Sequence, residues 1–407
     1  MKGKFGLIGK NISISLSPKI HKSFFDYEYK LMSLENEEEV EKKLRAKDFD
    51  GLNVTIPYKK TVMPFLDEIS PLAEKIGSVN TVVNRNGYLF GDNTDYYGFI
   101  KTLEKVAFSP EDKKVLVLGS GGASLSIKQA LYDLKAGEVI TVSRSGEDNY
   151  ENLSKHSDAS LIVNTTPVGK YPDNQKTPLS LEGFSGLEAV IDINYNPVKS
   201  RLLIEAEKKN LRVSGGLTML VWQAKKSAEL FTGERVEDET AEKTEKALLL
   251  KMKNVVFIGM PSCGKSTVGR VFAEKTGRAF FDTDRLIEER YSKKPSEIIT
   301  ENGEEYFRKL ETEVITDISR NTGVVISVGG GAVLKEENID ALRQNGVLVY
   351  LDRPLDELVS VDRPLSKNIS ALFEKRKPFY DKAADIKIKS QPTAEMTADE
   401  VIKKLGL

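Results

Sequence analysis

The segment Val255-Val256-Phe257-Ile258-Gly259-Met260-Pro261-Ser262-Cys263-Gly264-Lys265-Ser266-Thr267 limits what this chain can fold into more than any other. A β-branched and aromatic run enters a glycine-bounded loop, and Gly264-Lys265-Ser266 opens a helix. The spacing is G-x-x-x-x-G-K-[ST] in a strand–loop–helix context. That context demands a parallel α/β sheet with the loop at the strand's carboxyl end. Backbone N–H groups of Gly259, Ser262, Cys263 and Gly264 are expected to close around phosphate oxygens, helped by the helix dipole. Lys265 is expected at the β- and γ-phosphates, the Ser266 hydroxyl on Mg²⁺, and Thr267 beside them. Cys263 fills a tight turn that wants a small residue. One part of the chain is therefore expected to bind a nucleoside triphosphate, and this part begins past the middle.

The length of 407 residues sets an expectation of two or three domains, each with its own core. With 60 basic and 61 acidic residues the formal net charge is −1, so no nucleic-acid or acidic-lipid footprint is expected. One cysteine excludes a disulfide framework and points to a reducing compartment. No apolar run approaches a membrane span, and the start, Met1-Lys2-Gly3-Lys4-Phe5-Gly6-Leu7-Ile8-Gly9, reads as a strand rather than a leader. A cytoplasmic enzyme without membrane or nucleic-acid partners is the expectation. The sequence leaves the oligomeric state open.

The first hundred residues carry four polar clusters at strand ends. They are Ser15-Leu16-Ser17-Pro18, Asn53-Val54-Thr55-Ile56-Pro57-Tyr58-Lys59, Asn80-Thr81-Val82 and Asn93-Thr94-Asp95. Taken singly, such serines cap helices, such asparagines form turns and a lone lysine is solvated. Taken in order, with His21 after the serines, they resemble the substrate lobe of shikimate dehydrogenase. The resemblance implies that Ser15 and Ser17 hold a substrate carboxylate and that Thr55, Asn80 and Asp95 bind ring hydroxyls. It makes Lys59, paired with Asp95, the proton donor and acceptor. A ketone being reduced becomes an alkoxide and needs a positioned acid, which fits a lysine beside a carboxylate. Asn11 and Ile14 stand where family members usually carry proline and histidine. His21 itself is expected to pack a helix or face solvent.

A second glycine-rich turn follows, Val115-Leu116-Val117-Leu118-Gly119-Ser120-Gly121-Gly122-Ala123-Ser124, close to the dinucleotide fingerprint with Ser124 at the third glycine. Gly119, Gly121, Gly122 and Ala123 are the expected cradle of the pyrophosphate. The next strand ends in Ser143-Arg144, where an NAD site would want an acid; Arg144 suits a 2′-phosphate, hence NADP. Strands alternate with helices through Ala159–Val163 and Ala189–Asn194, the pattern of a doubly wound parallel sheet. Asp192, Tyr195 and Pro197 meet a D-x-x-Y-x-P pattern of the same family, and Gly216–Ala224 resembles its return helix. By that resemblance Tyr195 and Gln223 touch substrate. Glu237–Lys251 is charged and free of Gly and Pro. It reads as the last helix running on as a solvated linker, supported by Glu239–Lys243 and Glu242–Lys246 pairs.

Beyond it, Phe280-Phe281-Asp282-Thr283-Asp284 places two acids at a strand end beside the phosphate loop, fit for Mg²⁺ or a hydroxyl. Val325-Ile326-Ser327-Val328-Gly329-Gly330-Gly331 is a place where backbone can approach a ligand. With Arg308, Arg376 and Arg363-Pro364-Leu365, this set resembles shikimate kinase over essentially the whole segment. By that resemblance Asp284 contacts the acceptor hydroxyl as base, and Asp282 supports Mg²⁺. Arg308 and Arg376 clamp the substrate carboxylate, for which a guanidinium fork is suited. The Gly330 backbone touches the ring, and Arg363 is the lid arginine that meets the transferred phosphate, in a lid shorter than the family norm.

The expected architecture is α/β throughout. Residues 1–251 form a dehydrogenase-like part: a substrate lobe at about 1–98 and 217–236, a Rossmann-type NADP lobe at about 99–216 and a helical linker at 237–251. Residues 252–407 form a P-loop kinase domain, a three-layer α/β/α sandwich. The two resemblances imply adjacent reactions: NADPH-dependent reduction of 3-dehydroshikimate to shikimate, then phosphorylation of shikimate to shikimate 3-phosphate by ATP with Mg²⁺. Two rivals remain: a quinate or broad-specificity dehydrogenase fused to another small-molecule kinase, and a non-catalytic metabolite sensor, which the presence of Lys59, Asp95, Lys265 and Asp284 disfavours.

Overall fold

A computed structural model describes residues 3–358 and 369–407. Its backbone divides into two units: Met1–Lys170, Lys176–Tyr195 and Glu205–Ala247 in the first, and Tyr171–Gln175, Asn196–Ile204 and Leu248–Leu407 in the second. The division falls at 247/248, inside the helix Asp238–Met252, a few residues before the position expected from composition.

The first unit holds two sheets. Strands β1 (Lys4–Gly9), β2 (Glu28–Ser33), β3 (Gly51–Val54), β4 (Glu68–Ile69), β5 (Thr81–Arg85) and β6 (Tyr88–Asp92) lie in the order β2-β1-β3-β5-β6-β4. β1 runs parallel to β2 and β3, whereas β5 is antiparallel to β3 and β6. Asn86-Gly87 makes the β5–β6 hairpin; both residues have positive φ, 55° and 91°, which is what a two-residue turn matching strand twist requires. The register sets Asn53 opposite Thr81 and Thr81 opposite Asp92. Chain reversal thus brings the end of β3, the start of β5 and the end of β6 to one edge, and their polar clusters with them. Ile8, Leu52, Val54, Val82 and Leu89 pack with Val40 and Leu44 beneath.

Strands β7 (Lys114–Leu118), β8 (Glu138–Val142), β9 (Leu161–Asn164), β10 (Ala189–Asp192) and β11 (Arg212–Ser214) form an all-parallel sheet in the order β11-β10-β9-β7-β8. β9 and β10 are buried along their whole length, as strands covered on both faces must be. Residues 143–160 between β8 and β9 hold one 3₁₀ turn, Leu153–His156, so β8 remains at the edge. Strand order reverses between β7 and β9, where a doubly wound sheet opens its ligand crevice. The helices Asp95–Lys105 and Leu217–Thr232 approach closely at Gly98, where an added Cβ would stand 2.5 Å from the Met219 carbonyl oxygen.

The helix after Thr232 departs from expectation. Gly233, at φ 73°, ends Leu217–Thr232 in a left-handed cap, and a separate helix begins at Asp238. Ala241, Thr244 and Glu245 are buried, so this charged helix is covered along one face instead of solvated all round. Its i,i+4 pair Glu239–Lys243 forms at 2.7 Å on the open side.

In the second unit, β12 (Asn254–Ile258), β13 (Phe280–Asp282), β14 (Val325–Ser327), β15 (Gly346–Asp352) and β16 (Ile386–Lys389) form a parallel sheet in the order β13-β14-β12-β15-β16. Its core joins Val255–Ile258 and Leu348–Leu351 to Phe272, Ile315, Leu342 and Val401 on the flanking helices. Among the described residues no helix is long and apolar enough to cross a membrane.

Candidate functional sites

At the shared edge of β3, β5 and β6, Lys59 and Asp95 form an ion pair whose side chains are 13% and 11% exposed. Asn80 Nδ2 donates to the other carboxylate oxygen of Asp95 at 2.8 Å. The Asn80 oxygen accepts from the Thr94 backbone N–H (2.7 Å) and from the hydroxyls of Thr81 (3.0 Å) and Thr94 (3.1 Å). The Thr94 hydroxyl also lies 3.3 Å from Gln223 Oε1. Burial with this many partners gives each side chain one orientation.

Ser15 and Ser17 sit together elsewhere in the same lobe. Ser15 Oγ donates to Ser17 Oγ at 3.0 Å and accepts from the Ser17 N–H at 3.2 Å. Two residues absent from the expected set connect them to the Lys59 cluster. Tyr29, whose hydroxyl is raised in pKa by burial and engages Ser17, donates to Asn53 Oδ1 at 2.7 Å. Asn53 Nδ2 in turn donates to Thr81 Oγ1 at 3.2 Å. Asn53 and Thr94 fall inside the motifs quoted from the sequence; Tyr29, on β2, carried no local signal. Thr55 is half-buried at the end of β3, its methyl in the space a side chain on Gly9 would need. Tyr195 is half-buried in the loop after β10, with its hydroxyl raised in pKa by that burial. His21 is fully buried, with Nδ1 2.6 Å from the Tyr27 hydroxyl and its ring stacked on Tyr29 at 4.1 Å.

The dinucleotide turn fits its ligand class. Gly119, at φ 105°, leaves no room for a side chain beside Thr165 Oγ1, while a Cβ on Gly121 would meet nothing within 4 Å. Gly122 and Ala123 begin the helix Gly122–Asp133, whose N-cap Gly121 makes no side-chain cap hydrogen bond, so the first turn offers the kind of N–H donors a phosphate takes. A Cβ on Gly122 would meet one atom within 4 Å, Lys59 Cδ at 3.5 Å. The lysine therefore lies directly against the turn. Ser143 and the exposed Arg144 follow β8 at the sheet edge, with Tyr150 in electrostatic reach of the guanidinium.

In the second unit the phosphate loop takes three positive-φ residues, Gly259 (146°), Ser262 (64°) and Gly264 (94°). Lys265, buried, donates to the carbonyls of Gly259 (3.0 Å) and Met260 (2.8 Å) across the loop. Cys263 is buried against Gly259, and Thr267 is exposed at the start of the helix Lys265–Thr276. Ser266 Oγ donates to Asp282 Oδ2 at 2.5 Å and lies 3.2 Å from Ser327 Oγ. The other Asp282 oxygen caps the helix Thr283–Tyr291 through the Asp284 N–H at 3.1 Å. A hydroxyl and a carboxylate at the strand end are the oxygen donors Mg²⁺ prefers.

Asp284 and Arg308 converge on the glycine triplet. A Cβ on Gly329 would fall 3.0 Å from Asp284 Oδ1 and 2.7 Å from Glu311 Oε1; one on Gly331 would overlap the Arg308 guanidinium. Arg308 is held by Glu311 at 2.6 Å and Glu304 at 3.0 Å. Burial opposes its charge, but the two carboxylates outweigh burial and raise its pKa. Burial pushes the Glu311 carboxyl up, against the pull of Arg308. Arg376 is buried, its pKa lowered by burial, with Nε unpartnered among the described residues. Tyr380, four residues along the same helix, donates to the Gly330 carbonyl at 2.5 Å. Glu304, Glu311 and Tyr380 were not anticipated: the two glutamates are i,i+4 and i,i+3 partners of Arg308 on one helix, a spacing the sequence carries, whereas Tyr380 reaches Gly330 from a segment distant in the chain. Arg363 lies outside the described residues.

A doubly wound dinucleotide fold followed by a P-loop fold defines the class: an oxidoreductase and a phosphotransferase in one chain. Residues 7–82 match the family model of the shikimate dehydrogenase substrate binding domain, and residues 261–406 match that of shikimate kinase. The shikimate dehydrogenase (NADP(+)) of Clostridium perfringens is 38% identical over 258 residues, covering 58% of this chain and 95% of that protein. That of Clostridium beijerinckii is 38% identical over 246 residues, 56% of this chain and 91% of its own. Among solved structures, a chorismate mutase/shikimate 5-dehydrogenase fusion protein from Clostridium acetobutylicum superposes with a TM-score of 0.58 at 33% identity, covering 61% of this chain and 97% of that one. Shikimate 5-dehydrogenase from Thermus thermophilus, in complex with NADP(H) and shikimate, gives 0.55 at 32% identity, covering 61% and 99%. The chain belongs to the shikimate dehydrogenase family through its first part and carries a shikimate kinase domain in its second.

Proposed function

We propose that the first unit reduces 3-dehydroshikimate to shikimate with NADPH and that the second transfers the γ-phosphoryl group of ATP to shikimate. The observation that carries the first half is the place of Lys59, paired with Asp95 and lying against the Gly122 turn. When bound, NADPH supplies the hydride and leaves as NADP⁺. Lys59 Nζ gives its proton to the ketone oxygen, and Asp95 steadies the amine while Asn80 holds Asp95. Ser15 and Ser17 take the carboxylate; Thr55, Gln223 and Tyr195 bound the ring. Arg144 and Ser143 receive the 2′-phosphate.

In the second unit Arg308 and Arg376 take the shikimate carboxylate beside the Gly330 backbone. Asp284 accepts the proton of the attacking hydroxyl. Lys265 leaves the loop carbonyls for the β- and γ-phosphates, and Ser266 with Asp282 would hold Mg²⁺, which offsets the phosphate charge. Arg363 is the candidate for charge on the transferred group.

Purified full-length protein tests both halves. NADPH should be consumed with 3-dehydroshikimate and not with 3-dehydroquinate, and ATP should phosphorylate shikimate in preference to gluconate; loss of either preference removes that half. Arg144→Asp should weaken NADPH binding roughly ten- to a hundredfold, the cost of about 1.5–3 kcal/mol for a lost charged hydrogen bond. An unchanged ratio of NADPH to NADH use would take Arg144 out of the site.

A further inference from the structure

Glu245 is 9% exposed and lies on the helix Asp238–Met252, outside every motif of either reaction. A glutamate is rarely buried unless paired, and this one is fully engaged. Its Oε1 accepts from Lys105 Nζ at 2.6 Å and from Thr218 Oγ1 at 2.8 Å; its Oε2 accepts from Trp222 Nε1 at 3.3 Å. These donors belong to two helices that carry site residues. Lys105 is the last residue of Asp95–Lys105, whose first residue is Asp95. Thr218 and Trp222 are one turn apart on Leu217–Thr232, and Gln223 follows Trp222 on the adjacent face, toward Thr94. The two helices have little freedom to slide, since Gly98 already meets the Met219 carbonyl and the Gln223 backbone within 3.2 Å of a built Cβ. Thr244, beside Glu245, is anchored separately to Ser23 Oγ at 2.8 Å, so the helix that carries the carboxylate has a second tie to the lobe.

We infer that Glu245 is a positioning residue of the dehydrogenase site: one buried carboxylate clamps the backs of the two helices that present Asp95 and Gln223. The inference rests on the reading of the first unit as a 3-dehydroshikimate reductase. A charged acceptor shared by three donors sets the relative rotation of both helices, and a misplacement below 1 Å at Gln223 or Asp95 suffices to lower turnover. The helix that leads out of the dehydrogenase thereby braces its substrate site from behind.

The test uses the full chain. Glu245→Ala should lower kcat/KM for 3-dehydroshikimate roughly tenfold. The KM for NADPH and both kinase constants should keep their wild-type values, because neither the glycine turn nor the second unit depends on the clamp. Glu245→Gln keeps an acceptor oxygen and the side-chain shape, and should recover most of the loss. A merely structural role would lower Tm with kcat/KM unmoved, or would raise both KM values together; either result overturns the inference. Should Glu245→Ala not fold, Trp222→Phe removes one donor while keeping an aromatic ring at the position and should still lower kcat/KM for 3-dehydroshikimate alone; unchanged constants in that variant also overturn it. A wild type that does not reduce 3-dehydroshikimate fells the functional reading and the inference with it, whereas an active wild type with unmoved variants fells the inference alone.

Discussion

The guanidinium of Arg308 occupies the volume that a side chain on Gly331 would fill. It cannot swing aside cheaply, because Glu311 and Glu304 hold it and Glu311 is buried. Gly331→Ala should therefore displace Arg308 and weaken shikimate binding in the kinase by about 1–3 kcal/mol, the usual cost of overpacking a filled site. The check is the KM for shikimate against the KM for ATP: a rise in the first alone is expected, and an equal rise in both would mean that the loop as a whole had shifted. His21 makes a different statement, about pH. Burial lowers its pKa to about 3, with a hydrogen bond to Asn53 opposing, from 6.5 in the unfolded chain. The neutral ring is the folded form, so its contribution is present above the unfolded pKa and is lost as pH falls from 6.5 towards 3. Between about pH 7 and pH 4.5 the wild type should lose about 2–3 kcal/mol more than His21→Gln, which has nothing to titrate there. Trp222, the single tryptophan, lies in the first unit and reports its unfolding by fluorescence. Parallel pH profiles for the two proteins would show that His21 is protonated without cost.

At the scale of elements, the helix pair Asp95–Lys105 and Leu217–Thr232 depends on Gly98 having no side chain. A Cβ there would stand 2.5 Å from a backbone carbonyl, which cannot rotate away. Gly98→Ala should cost about 1–3 kcal/mol of first-unit stability and raise the KM for 3-dehydroshikimate, since Gln223 lies at the same contact. A lowered Tm with normal KM would separate packing from the site. The sequence made some of this legible and not the rest, for a physical reason. Local chemistry is written locally: β-branched runs ending in Gly-x-Gly-Gly or in Gly-Lys-Ser specify strand, turn and helix within about a dozen residues. The ordered clusters at Ser15, Lys59, Asn80 and Asp95 could be named because each sits at its own strand end. What was not legible is contact between segments distant in the chain. Tyr29 reaching Asn53, Tyr380 on the Gly330 carbonyl and Glu245 beneath Trp222 have no local signature. The helix Asp238–Met252 shows the same limit: its charge spacing describes the open face, as Glu239–Lys243 does, and says nothing of the face that holds Glu245.

At the scale of the whole molecule, the proposed reactions make the product of one unit the substrate of the other. The first unit has two sheets and the second has one, each unit has its own core and glycine-rich loop, and the motifs share no residue. Lys59→Ala should abolish NADPH oxidation with 3-dehydroshikimate and leave phosphorylation of added shikimate at the wild-type rate. Lys265→Met should do the reverse, because it removes the cation expected at the β- and γ-phosphates while Lys59 and Asp95 stay paired. Mixing the two variants then asks how shikimate travels. If it is released and rebinds from solution, equal amounts of the variants supplied with 3-dehydroshikimate, NADPH and ATP should make shikimate 3-phosphate after a lag. The lag is the time shikimate needs to accumulate toward the kinase KM, and added shikimate should erase it. The wild type, with both sites on every chain, should show the same lag at the same site concentrations, since free diffusion does not distinguish one chain from two. A wild type with no lag beside a mixture with one would show that shikimate does not equilibrate with solution between the sites. A mixture that makes no shikimate 3-phosphate, although each variant keeps its remaining activity, would mean that shikimate cannot leave the first unit unaided.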